Sequence, residues 1–123
     1  MISLDFTNVF DKFRSISGCD DEKTSENISL VEDEIFTLEN LIDENRFDEN
    51  YRNKCEYAAA VSAFYSFLCR ESAREKICLS EVGKVIINDD FSQKLSSAKE
   101  LKKQALASIS QIMVDNDFIF ATI

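Results

Sequence analysis

The sequence predicts an all-α protein: a small four-helix bundle with a short β-hairpin-like insert around residues 77–88, in a single domain. Three observations carry that expectation. Apolar residues recur at steps of three and four in four separate windows, the period of an amphipathic helix rather than a strand. One β-branched apolar run breaks that period. A chain of 123 residues, 45% hydrophobic and 30% charged, is long enough for one compact domain with a core and too apolar for disorder by composition.

The first window is Phe6, Val9, Phe10, Phe13 and Ile16, ending at Gly18, a residue suited to terminating a helix. A polar, acidic connector with no apolar period follows over residues 19–27, and nothing in it requires rigidity. The second window is Ile28, Val31, Ile35, Leu38, Leu41 and Ile42, with Ser29 and Glu32 spaced as a capping box. Its stripe is narrow, and Glu32, Asp33, Glu34, Glu39 and Asp43 mark a wet side. A tight turn is expected over residues 45–48.

The third window, residues 51–69, is apolar or small almost all the way round, as in CEYAAAVSAFYSFLC. Such a helix is central: Ala58, Ala59, Ala60 and Ala63 let neighbours approach closely, while Phe64, Tyr65, Phe67 and Leu68 supply bulk at one end. The period then breaks at ICLSEVGKVII, which reads as a hairpin or extended arm around Gly83. Asp90, with Gln93 three residues on, opens the fourth helix, whose stripe is Phe91, Leu95, Ala98, Leu101, Ala105, Ile109 and Ile112. The end of the sequence, DNDFIFATI, is apolar again.

Charge divides the domain into an acidic half, residues 1–50, and a second half, residues 51–123, holding the core helix and the last helix. The first holds 14 acidic and 4 basic side chains and the second 9 and 10, within a formal net charge of -9. An acidic field repels duplex DNA and favours contact with a basic protein patch, so sequence-specific nucleic-acid binding is not expected. No run of 18 apolar residues exists to span a bilayer, and MISLDFTNVF lacks the basic start of a signal peptide, so no membrane partner and a cytoplasmic location are expected.

The chain contains no His, which removes Ser-His and Cys-His nucleophile pairs, imidazole bases and His-containing metal sites. No two acids stand at i and i+3, the spacing by which helical hydrolases hold Mg²⁺. The i,i+4 acid pairs, Glu22/Glu26, Glu39/Asp43, Glu44/Asp48 and Glu71/Glu75, lie near Arg46, Arg70 and Arg74 and read as solvated surface networks. A calcium loop from Asp43 would have Asp48 where Gly is needed. Gly18 and Gly83 are too far apart for a phosphate-cradling loop. Lys94, Lys99, Lys102 and Lys103 lack interleaved aromatics and read as a wet helix face, the alternative being contact with a phosphate or acidic partner. Cys19, Cys55, Cys69 and Cys78 form no CxxC, and Cys55 and Cys69 would stand about 21 Å apart on one helix, so reduced thiols are expected. No enzyme activity and no cofactor are expected.

The informative residues are therefore apolar ones: Leu79, Val82, Val85, Ile86 and Ile87 in the insert, and Phe118, Ile119, Phe120 and Ile123 at the end. Either they pack on the bundle or they are edges for association with a neighbouring subunit or partner. Residues 54–123, with KCEYAAAVSAFYSFL, the insert LSEVGKVIINDD and the helix FSQKLSSAKELKKQALASISQIMVDNDFIFATI, are similar to the small α-helical head-tail connector, or head completion, proteins of tailed phages and prophages of Gram-positive bacteria. The resemblance covers a little over half the chain and rests on pattern. It implies a non-enzymatic structural protein that assembles as a ring between portal and tail, so a homo-oligomer with other virion proteins as partners and, if phage-encoded, a place in the virion. It also implies that residues 79–88 and 118–123 are contact segments. A different reading of the same sequence is a monomeric acidic adaptor or inhibitor that binds a basic protein surface through residues 20–50. A carboxylate-based metal hydrolase is the remaining alternative.

Overall fold

The computed structural model describes residues 2–82 and 89–114. Helix α1 (Phe6–Ser17) begins at Asp5, whose carboxylate accepts from the amides of Thr7 and Asn8. It ends where Gly18 takes a left-handed conformation (φ 66°) and its N–H reaches Arg14 O at 3.0 Å. Val9 and Phe13 are buried, and Phe13 meets Phe67 edge to face at 6.1 Å.

The acidic connector is partly ordered, contrary to expectation: residues 21–26 form a short helix, α2 (Asp21–Glu26). Thr24 anchors it, buried and donating from its hydroxyl to Asp20 O at 2.6 Å. Helix α3 (Ile28–Leu41) follows after the single residue Asn27, which makes no side-chain cap, so the Ser29–Glu32 capping box does not define its start. Leu30, Val31, Ile35 and Leu38 are its buried stripe, as the period required.

After a turn and a single 3-10 turn (Glu49–Tyr51), α4 (Arg52–Val82) runs for 31 residues, about 46 Å. Residues 77–82, expected in a β-hairpin-like insert, continue this helix, and the described residues contain no strand. The reason is cooperative: a helix already nucleated gains one hydrogen bond for each residue added, whereas an isolated hairpin needs a third partner to be stable. Residues 83–88 of that expected insert lie outside the described residues.

Helix α5 (Asp89–Ser108) starts one residue before the expected Asp90 cap. It buries Ala98, Ala105 and Leu106, and a short 3-10 turn (Ser110–Ile112) carries its stripe on through the buried Ile109, Ile112 and Met113. Helices α1, α3 and α5 all pack on α4, and α1 also packs on α3. That is the four-helix arrangement expected, with α4 at its centre. The chain past α5 crosses back to the end of α3: Ile42 and Met113 form an antiparallel bridge, with Asp43 N donating to Ile112 O at 2.7 Å and Val114 N to Leu41 O at 2.8 Å. Among the described residues no helix is long and apolar enough to cross a membrane.

From Cys55 to Ala63 only Tyr57 of α4 is exposed. Ala60 is fully buried there, so a larger side chain has to displace packed neighbours. Ala60→Leu should therefore cost about 1–3 kcal/mol by overpacking, seen as a lower melting temperature. Ala73→Leu, the same change at an exposed position of the same helix, should leave the melting temperature within error. Equal melting temperatures for the two variants would contradict this packing.

Candidate functional site

The polar residues fall into two groups, one turned inward and one outward. The inward group fastens the segment before α1. Glu56, fully buried on α4, accepts the Asp5 amide on Oε2 at 2.9 Å. Glu39 on α3 accepts the Leu4 amide at 3.2 Å. Arg52, one turn before Glu56, donates to Ser3 O at 2.6 Å, grips Glu49 through two bonds of 2.7 and 3.0 Å, and lies 5.5 Å over the Phe47 ring. The hydrogen bond from Arg52 holds the Glu49 carboxyl below the ordinary carboxylate range and raises the guanidinium in turn. Three consecutive residues, Ser3 to Asp5, are thus held by side chains from two helices.

The second oxygen of Glu56, Oε1, is buried with no hydrogen-bond partner among the described residues. Beside it Cys55 is also fully buried, and burial, opposed by Arg52, pushes its thiol from 9.0 up to about 11. Burial that favours the protonated thiol lowers its reactivity as a nucleophile. Cys19, Cys55 and Cys69 are free thiols, with Cys69 exposed on α4. Among the described residues no group of three Cys, Asp or Glu side chains is placed to hold a metal ion. Together these residues form a latch of hydrogen bonds that fastens the segment before α1 to α3 and α4.

The outward group is the exposed side of α3. Of the acids read from sequence as its wet face, Glu34 accepts from Ser66 Oγ at 2.7 Å, Glu39 holds Leu4, and Asp43 pairs with Arg46 at 3.4 Å. Glu32 and Asp33 remain exposed, and neither makes an ion pair among the described residues. Between them and Asn40 stands Phe36, 62% exposed. Sequence reading did not single out Phe36. The available signal was its neighbours one turn away on either side, Glu32, Asp33, Glu39 and Asn40, all polar, which puts a large apolar ring on a polar face.

On α5, Lys94, Lys99 and Lys103 are exposed and without an ion pair among the described residues, while Lys102 lies 5.3 Å over the Tyr65 ring. Of the contact residues expected from sequence, Leu79 and Val82 belong to the last turns of α4, with side chains outside the described part. Val85, Ile86, Ile87, Phe118, Ile119, Phe120 and Ile123 lie outside the described residues. The structure does place Val114, 61% exposed and just before the last of them, beside the end of α3, where Arg46 donates to Met113 O at 3.3 Å.

No family model, no curated protein and no solved structure matches this chain.

Two measurements test the latch. Glu56→Gln keeps an acceptor for the Asp5 amide and should change stability by no more than about 1 kcal/mol, whereas Glu56→Leu removes it and should cost about 1–2 kcal/mol, with faster hydrogen exchange at Asp5. Unchanged exchange in the Leu variant would show that the carboxylate does not hold the segment. For Cys55 the folded-state value lies above the unfolded one, so its contribution is complete below pH 9.0 and is lost as pH rises towards about 11. That contribution is on the order of 2 kcal/mol. The urea midpoint of Cys55→Ala should fall less steeply than that of the unaltered chain across this window, and parallel curves would rule the thiol out.

Proposed function

We propose that the chain is a non-enzymatic assembly protein that works by docking on other protein subunits, of the head-tail connector type that residues 54–123 resemble. The observation that supports docking most directly is the outer face of α3, where Phe36 is 62% exposed beside Glu32 and Asp33, which make no ion pair among the described residues. A large ring with acids one turn away offers a partner an apolar anchor beside charge, and burying it on docking is favourable. The polar residues of the interior, in contrast, are occupied in holding the bundle together: Glu39, Glu56 and Arg52 fasten the N-terminal segment. The particle-assembly form of the reading rests on the sequence pattern of α4 and α5, which carry the resemblance. Portal or tail subunits and further copies of the chain are the partners it implies, with the virion as its place.

The second reading, a monomeric acidic adaptor or inhibitor that binds a basic protein surface, is favoured by the same face, because α3 carries no basic residue from Ile28 to Leu41. The two differ in what the purified protein does alone. Light scattering behind a sizing column, from micromolar to millimolar subunit at low and high salt, should show growth with concentration towards a defined oligomer. A strict 14.0 kDa monomer throughout would overturn the assembly reading in favour of the adaptor.

A further inference from the structure

Two helices carry exposed charges of opposite sign that make no ion pair among the described residues. On α3, Glu32 and Asp33 flank Phe36 and no cation lies on the helix. On α5 (Asp89–Ser108), Lys94, Lys99, Lys102 and Lys103 stand against Glu100 and, at the start of the helix, Asp89 and Asp90. Ser96, Lys99, Lys103 and Ala107 follow one another at steps of three and four, all exposed, so they form one stripe with small residues at its ends. Lys99 and Lys103 stand one turn apart, about 6 Å along the axis, with aliphatic stems between which an aromatic ring can lie. Lysine over a ring is already present in this fold, at Lys102 and Tyr65 and at Lys54 and Tyr51.

Within one subunit the two faces do not satisfy each other. Both helices pack on α4, and each turns these residues to solvent. We infer that the outer face of α3 docks on the outer face of α5 in a second copy of this chain, with Phe36 seated on the stems of Lys99 and Lys103 and their ammonium groups beside Glu32 and Asp33. This rests on the assembly reading above and names its partner. The contact joins two different surfaces, so each bound copy presents a free face for the next, and the association repeats until it closes. The formal charge of -9 makes copies repel at a distance. At about 0.1 M salt that repulsion is screened beyond about 10 Å, while pairs in contact are screened much less. The contact pairs and the buried ring then decide.

Charge reversal on each face separates this surface from any other. One variant carries Glu32→Lys with Asp33→Lys, a second carries Lys99→Glu with Lys103→Glu, and a third carries Phe36→Ser; all change exposed residues, and unaltered helicity and melting temperature establish that each is folded. Association of the unaltered chain is measured by light scattering, then that of each variant alone and of the two reversed variants mixed. Each reversal alone should weaken association by about 30-fold or more, since like charges then face each other, and Phe36→Ser by about 10-fold. The mixture should recover it, because every α3 face in one variant then meets an opposite α5 face in the other. If the reversed variants associate as the unaltered chain does, or if the mixture fails to recover, this docking surface is wrong while the assembly reading stands. If the unaltered chain is monomeric throughout, both fail.

Discussion

The small side chains of α4 set the spacing of the whole bundle. From Cys55 to Ala63 the helix offers Ala58, Ala59, Ala60 and Ala63 to its neighbours, and all four are completely buried. Helices separated by alanine approach at the short end of the usual interaxial range of about 8–10 Å, and α1, α3 and α5 all pack on this one helix. Bulk enters farther along, at Phe64, Phe67 and Leu68, where Phe67 meets Phe13. The core is thus lined by small side chains along the first part of α4 and filled by rings at its middle.

A central helix buried from Cys55 to Ala63 at every position but Tyr57 must also accommodate any polar residue it carries there. Glu56 is the extreme case, a fully buried carboxylate that gains one main-chain donor, Asp5 N–H, and leaves its other oxygen without a partner among the described residues. A buried carboxylate is costly unless hydrogen-bonded, so the N-terminal segment and α4 depend on each other. The carboxylates of this acidic chain accordingly divide by role. Glu34, Glu39 and Glu56 accept bonds that join elements, whereas Glu32 and Asp33 make none and shape the surface field.

Much of this architecture was legible in the sequence, because its causes are local. The four apolar windows correspond to α1, α3, α4 and α5; Gly18 ends α1; and the all-round apolar character of residues 51–69 marks the central helix. What was not legible depended on context. Residues 77–82 are β-branched enough to read as a strand, yet they follow an established helix and extend it. Helix α2 is short and polar, and its hold comes from Thr24, whose burial no periodicity reports. For the candidate site, the acidic face of α3 was readable as a run of acids, but not which of them would be engaged by Leu4, Ser66 and Arg46. Phe36 falls outside the apolar stripe of α3, and the period alone does not mark a ring on the polar side. The exposed α5 lysines were visible, but the unpaired state of their opposite number on α3 was not.

The bridge between Ile42 and Met113 bears on how the chain reaches this arrangement. Arg46 and Met113, which it brings together, are 67 residues apart. Closing so long a loop is entropically costly, and it gains only a few main-chain hydrogen bonds, Asp43 to Ile112 and Val114 to Leu41 among them. Those bonds require the ends of α3 and α5 to lie side by side, an arrangement set by the packing of both helices on α4. The amides of the bridge, in a chain otherwise dominated by local helical bonds, report on completion of the topology rather than on formation of any single helix.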